Sequence, residues 1–347
     1  MKSVRTIYYP ACLKRAAPAR MRAGDQDSFE NLKFSTFNKS DLLRFDNVLL
    51  TSNGVIFQNF KPYKALVNCF EQDFQKYWFR FLIKVLLLSK GRVLSGKEKY
   101  LLVYDNYSGP KGFFHWISDC LTRLVEIKDE INEYVVIVPF YFKNEQLYQE
   151  TLSLFNIKRI EYIEEKEYFR ISNMYSLNYI APSGIFRPEN VQKLRDHVWN
   201  KLEVKDLGSD KGEKIYISRA KASRRKVLNE EEVTTVLKNE YGFSIVYLED
   251  FSFFDQVKIM YHAKYLVGIH GGGLTHIHFL KPGSGVLELR KENDFENNVY
   301  YFLADSLSVN YNYLFCEHNQ ISSSANNFDL KVEITELRKS VEDLLTL

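Results

Sequence analysis

Two stretches of this chain gather side chains able to hold an anion. In YISRAKASRRK, Tyr216 to Lys226, the cations Arg219, Lys221, Arg224, Arg225 and Lys226 fall within eight positions directly after the strand-like run KIYIS. In GIHGGGLTHIHF, His270 precedes Gly271, Gly272 and Gly273, and Leu274 and Thr275 begin a helix-like segment, all behind the apolar run AKYLVGI. Guanidinium forks match phosphate oxygens and stay charged. Free N–H groups at a helix start add a favourable dipole, and glycines let a ligand approach the backbone closely. Both stretches therefore point to a bound phosphate or diphosphate. A solvated basic loop and a tight strand-to-helix turn are the plainer alternatives.

A second kind of chemistry lies upstream. His115 and Asp119 are four residues apart and share a helix face. A carboxylate beside an imidazole can act as a general base; a packed histidine with an aspartate favoured by the helix dipole is the alternative. Glu288 sits in the apolar run GVLEL. A carboxylate in a buried strand needs partners, supplied by sugar hydroxyls or by an arginine of the basic loop, unless the strand is an edge open to water.

The elements that must position these groups alternate between strand and helix, which argues an α/β fold. KYLLVYDN, YVVIVP and KRIEYI read as strands, with helices over HWISDCLTRLVEIKDEI and residues 144–154 between them. APSGIFRP interrupts the rhythm with two prolines and a glycine, so the spacing predicts a boundary there. After a helix over residues 189–202, strand KIYIS, helix NEEEVTTVLKNEYG, strand FSIVYL and helix FFDQVKIMYHA follow. Asn229 with Glu232 reads as a helix-capping box. The expected domains are residues 1–183, residues 184–330, and a C-terminal helix over 331–347 packing back toward the first domain. Ligands of such folds bind at the carboxyl ends of strands.

A chain of 347 residues is long enough for two cores. A net charge of +3 is too mild to argue for nucleic acid. Cys12, Cys69, Cys120 and Cys316 are far apart, which suits reduced thiols in a cytosolic protein. The basic N-terminus lacks a signal peptide's apolar core. The run WFRFLIKVLLL, Trp78 to Leu88, is too short to span a bilayer. It reads as a core helix or as a basic-aromatic helix on a membrane surface. Other motifs fail. No Gly-x-Ser-x-Gly elbow accompanies the His-Gly-Gly-Gly loop. Gly91 to Lys97 imitates a P-loop with Glu98 where Ser or Thr is required. His270, His276 and His278 lack a further metal ligand, and no apolar strand precedes Asp25-Gln26-Asp27. A nicotinamide-dependent oxidoreductase would need a Gly-x-Gly-x-x-Gly turn that the triple glycine does not supply.

Together, HWISDCLTRL, YISRAKASRRKVLNEEEV, GIHGGGLTHIHFLKPGSGVLELR and NVYYFLADSLSVNYNYLFC, in this order over roughly residues 113–316, resemble glycosyltransferase family 61. The likeness is to its bacterial capsular-polysaccharide members in particular. The chain departs from the family at Gly272, where alanine is common, at His276, where asparagine is usual, and at Thr122, where proline is usual. The resemblance implies a GT-B architecture, two Rossmann-like domains facing across a cleft. It implies an inverting sugar transfer from a nucleotide diphosphate sugar, such as a UDP-sugar, with no metal or other cofactor required. In that scheme Arg219, Arg225 (or Arg224) and the loop Gly271, Gly272, Gly273, Leu274 and Thr275 hold the diphosphate. His270 holds donor phosphate or sugar, and Glu288 binds ribose. Asp119, assisted by His115, deprotonates the acceptor, or His115 does so itself. The expected acceptor is a growing glycan of capsule, lipopolysaccharide or exopolysaccharide, and a lipid-linked one places the enzyme in the cytoplasm with peripheral contact at the inner membrane face. A non-catalytic nucleotide- or carbohydrate-binding protein on the same scaffold is the main alternative.

Overall fold

The computed structural model describes residues 1–22, 24–63, 66, 74–109, 112–206, 208–292, 294, 296–320 and 328–347. Cys69 and the side chain of Asp27 lie outside the described residues. The chain is mixed α/β and forms two compact units: Met1–Ala11 with Phe37–Ser183, and Cys12–Thr36 with Gly184–Leu347.

The first unit carries a six-stranded sheet in the order Lys2–Tyr8, Ser40–Phe45, Met174–Leu177, Tyr100–Leu102, Val135–Pro139, Ile160–Ile163. The last four strands run parallel and the first two pair antiparallel. Val135–Pro139 is a continuous apolar run, buried at every position, as a parallel strand covered on both faces requires. A second, five-stranded sheet includes Val48–Thr51, Glu167–Ile171 and Lys90–Val93. Helix Phe74–Leu88 packs Trp78 and Leu82 against Val55 and Phe57 beside it.

In the second unit the parallel strands are numbered in chain order: β1 Lys214–Ile217, β2 Ser244–Val246, β3 Tyr265–Ile269, β4 Gly285–Lys291 and β5 Asn310–Gln320. Their order in the sheet is β2-β1-β3-β4-β5, with Phe328–Lys331 antiparallel at the edge of β5. The chain winds outward from β1 to β2, then returns past β1 to β3. The carboxyl ends of β1 and β3 thus flank the point where the winding reverses, where open α/β sheets bind ligands.

Three expectations change. The segment Cys12–Thr36, assigned above to the first domain, belongs to the second unit. Its buried Arg15 donates to Asp305 at 3.1 Å, to Ser306 at 2.6 Å and to the Phe186 carbonyl at 2.6 Å. The C-terminal helix Ile334–Leu345 also packs within the second unit, burying Leu337, Val341 and Leu344 with Leu287, Leu289 and Leu314. The Asn229 side chain accepts no backbone N–H of the following helix, although its Nδ2 donates to Glu232 at 3.0 Å. Its amide instead clamps Val332, accepting from that N–H at 3.0 Å and donating to that carbonyl at 2.8 Å.

Candidate functional site

In the first unit the strand Tyr100–Leu102 ends toward Asp105, which organises the turn that follows. Asp105 Oδ1 accepts from the Tyr107 and Ser108 amides at 2.9 and 3.0 Å. Its Oδ2 accepts from Tyr179 at 2.8 Å and lies 3.4 Å from buried Arg123. Gly112 completes the turn. A Cβ there would lie 1.9 Å from the Tyr107 carbonyl oxygen, so no other residue fits without moving the backbone.

The helix that follows was expected to be α throughout. It runs α over Phe113–His115, becomes a π-helix over Trp116–Leu121 and returns to α at Thr122–Leu124. π turns are rare and frequently occur at functional sites. Arg123 ties this one down, donating from Nε to the Asp119 carbonyl at 2.8 Å and from Nη1 to the Leu177 carbonyl at 3.3 Å. Asp119 lies within the π segment with its side chain 5% exposed, and Asp119 Oδ2 is 2.8 Å from His115 Nδ1. The same oxygen accepts from Ser183 Oγ at 2.8 Å. His115 is 29% exposed at its side chain. Burial alone would lower its pKa, but the hydrogen bond and charge of Asp119 outweigh burial, so the net shift is upward. The arrangement can accept a proton at a carboxylate and hold positive charge beside it.

In the second unit the basic loop leaves β1 and the glycine turn leaves β3. Arg219 turns back on its own loop, donating to the carbonyls of Arg225 and Arg224, each at 3.1 Å. Arg225 holds a left-handed backbone, φ 56°, which costs a non-glycine residue about 1 kcal/mol or more. This conformation brings the Arg225 guanidinium, together with that of Arg219, against Gly271: a Cβ added there would meet Arg219 Nη1 and Arg225 Cζ, each at 3.4 Å. Arg224 is exposed.

Two like charges thus converge over one glycine. Lys221 is paired with Asp250, but no carboxylate among the described residues lies within ion-pairing distance of Arg219 or Arg225, and Arg225 Nε is buried without a partner. Burial lowers the pKa of both guanidiniums, and for Arg225 repulsion from Arg219 is the next cause. A bound anion would offset both the burial and the repulsion.

Behind the turn, His270 Nδ1 lies 2.5 Å from Glu288 Oε1, and His270 Nε2 lies 2.9 Å from Asn297 Nδ2. Glu288 is wholly buried, and its Oε2 accepts from Tyr311 at 2.5 Å. Burial opposes its ionisation, but His270, Arg290 and Tyr311 outweigh it and hold the carboxyl below its ordinary pKa. Arg290 completes the network, donating to Tyr311 at 3.2 Å and to the Asn297 carbonyl at 2.9 Å. Both Glu288 oxygens are therefore engaged within the protein, in contrast to the ribose contact expected above. The Leu274 N–H, expected to face the anion, donates to the Gly271 carbonyl at 2.9 Å. Leu274 and Thr275 are fully buried. Tyr300 fixes the turn from the other side, donating to the Gly271 carbonyl at 2.6 Å.

His276 and His278 are buried, and burial lowers their pKa values to about 4 and about 3. They are neutral packing residues. Asp25 of the Asp-x-Asp run accepts from Tyr313 at 2.6 Å. Among the described residues no group of three His, Cys, Asp or Glu could hold a metal ion.

Sequence reasoning missed Ser183, Arg123, Asn297, Tyr300 and Tyr311. Ser183 lies in the segment read as a boundary, and the others looked like ordinary core or surface positions. A family model described as Glycosyltransferase 61 matches residues 113–287, about half the chain, a span that includes His115, Asp119, Arg219, Arg225 and His270 and ends just before Glu288. Curated relatives are similar over shorter spans. The EGF domain-specific O-linked N-acetylglucosamine transferase of Pan troglodytes is 29% identical over 144 residues, which is 40% of this chain and 27% of that protein. The protein O-linked-mannose beta-1,4-N-acetylglucosaminyltransferase 2 of Bos taurus is 28% identical over 127 residues, 35% of this chain and 22% of that protein. The matches thus span about a quarter of the length of these relatives.

Proposed function

From the premise that the chain belongs to glycosyltransferase family 61, we propose that it transfers a sugar from a nucleotide diphosphate sugar to a hydroxyl of a growing glycan, without a metal ion. The observation that carries this reading is the convergence of Arg219 and Arg225 on Gly271, beside the β1–β3 switch point and without a carboxylate partner. In sugar transfer the leaving nucleoside diphosphate gains charge as the glycosidic bond breaks. Preorganised cations lower that barrier because they need no rearrangement during the reaction. The Arg219 and Arg225 guanidiniums supply this charge where other glycosyltransferases use a divalent cation.

The acceptor hydroxyl must lose its proton as its oxygen attacks the anomeric carbon. Asp119 is the base in this reading. His115 orients the carboxylate, and Ser183 holds the same oxygen. A single in-line displacement inverts the anomeric configuration. The Glu288–Tyr311–Arg290 network serves by fixing His270 beside the anion site. The reading includes the GT-B arrangement, since a base on one unit and an anion site on the other serve one reaction only if the units come together. The named relatives handle N-acetylglucosamine, which makes UDP-N-acetylglucosamine the first donor to test. A lipid-linked bacterial surface glycan, made in the cytoplasm, is the acceptor class we propose.

The test is calorimetric titration of UDP with and without chelator, repeated with Arg225→Ala. Chelator-independent binding that weakens at least tenfold in the variant is expected. Binding that requires a divalent metal, or that ignores the substitution, would overturn the metal-free reading.

A further inference from the structure

The helix Phe74–Leu88 of the first unit has two apolar faces where a surface helix needs one. The row Trp78 and Leu82 is buried. The adjacent row Phe79, Ile83 and Leu87 is exposed, with Leu87 77% accessible. The next row holds Arg80 and Lys84, both exposed and in no ion pair among the described residues. Solvent-facing Leu88, Val93 and Phe60 extend the apolar surface. An apolar cavity of about 590 Å³ lies in the same region, lined among others by Leu49, Phe57, Leu86 and Val93, with exposed Arg170 on its wall.

Charge decides what covers this surface. From Phe74 to Lys97 the sequence holds six Lys or Arg and no Asp or Glu; Arg92 is paired with Glu161 and Glu167, which still leaves an excess of cations, whereas the whole chain is nearly balanced. A second copy docking here by twofold symmetry would oppose cation to cation, because such an interface uses the same patch twice. A water-soluble partner would have to cover a row of large apolar side chains and match the cations with acids. An anionic lipid surface satisfies both at once: the apolar row enters the acyl boundary, and the flanking Arg and Lys stems reach up to the phosphates.

We propose that this face, centred on Phe79, Ile83 and Leu87 with Arg80 and Lys84, docks the protein on an anionic membrane surface, with the adjoining cavity taking an acyl chain. The proposal is independent of the sugar-transfer reading, since none of these residues belongs to either constellation described above. No helix among the described residues is long and apolar enough to cross a membrane, and the proposed contact is a peripheral one.

The test is flotation of the full chain with vesicles of phosphatidylcholine alone and of phosphatidylcholine with phosphatidylglycerol. Strong binding to the anionic vesicles and weak binding to the neutral ones is expected. Each cation near an anionic leaflet is worth roughly fivefold in partition, so Arg80→Gln with Lys84→Gln together should weaken binding about thirtyfold. Phe79→Ser with Leu87→Ser should abolish it. All four substitutions are at exposed positions, and an unchanged thermal midpoint would verify folding. Equal partition to both vesicle types, or none to either, would overturn the proposal. So would a concentration-dependent dimer in sedimentation that Leu87→Ser dissolves. UDP titration of the same variants separates the two proposals, because it should match the parent protein.

Discussion

Among the described residues are two histidine–carboxylate pairs, His115–Asp119 and His270–Glu288, of the same chemistry and nearly the same separation. In the first, Asp119 lies in a π-helix and the imidazole of His115, one turn earlier, is part-exposed, and Asp119 spends only one oxygen on His115 and Ser183. The second is sealed: Glu288 has no accessible surface, and Tyr311 occupies its other oxygen. A pair that meets substrate must keep capacity for a proton. A pair that holds a loop in place is better with every lone pair satisfied, because unmet groups are expensive in a buried network. Burial therefore distinguishes the two pairs, and under the proposed function the more accessible one is reactive and the sealed one supporting.

The sharpest way to break this division is Asp119→Asn. Loss of a general base costs roughly 10²–10⁴-fold, so kcat for transfer should fall by about a thousandfold while UDP affinity holds. Retained turnover would move the base elsewhere. Glu288→Gln should instead damage the fold. Removing the charge from a buried ionic network costs about 3 kcal/mol or more, read as a lower unfolding midpoint. The parent protein should show the matching pH dependence. The Glu288 carboxyl is held below its ordinary value, so its contribution is present above the unfolded carboxyl pKa and is lost as pH falls through the depressed folded value.

Arg225→Ala should act on binding alone. Charge-assisted hydrogen bonds contribute about 1.5–3 kcal/mol, so UDP should bind about ten- to a hundredfold more weakly. Without nucleotide the variant should be no less stable than the parent, since the substitution relieves Arg219–Arg225 repulsion. A fall in the nucleotide-free midpoint would mean that the arginines are structural. The smallest effect belongs to His115. Its raised folded pKa gives stability that is full below the ordinary imidazole value near 6.5 and is lost as pH rises through the folded value. His115→Gln should flatten that portion of the stability–pH curve, measured by denaturant titration.

Much of the candidate site was legible in the sequence because its parts are local. A strand ending in cations, and another ending in three glycines, announce their chemistry within a dozen residues, and the i, i+4 spacing of His115 and Asp119 survives into the structure. The π segment left no mark, because it shifts the hydrogen-bond partner by one residue without changing the apolar pattern of Trp116, Ile117, Cys120 and Leu121. Arg225 could not be separated from Arg224 by composition, since the difference is a backbone torsion. Tyr311 and Glu288 meet because β4 and β5 are neighbours in the sheet, a pairing fixed by tertiary packing. The Cys12–Thr36 excursion was equally hidden: Arg15 looks like any surface cation until Asp305 and Phe186 are known to surround it.

That excursion changes what a single cut can do. The backbone passes between the two units at residues 11–12, 36–37 and 183–184, so they are stitched together three times. A protease nick in the APSGIFRP segment would leave two covalent tethers intact. A fragment begun at Gly184 would lack the strap that carries Arg15, the buried cation that donates to Asp305, Ser306 and the Phe186 carbonyl. The second unit is thus an excisable module only in a redesigned chain order, one that restores residues 12–36 to it through a new linker.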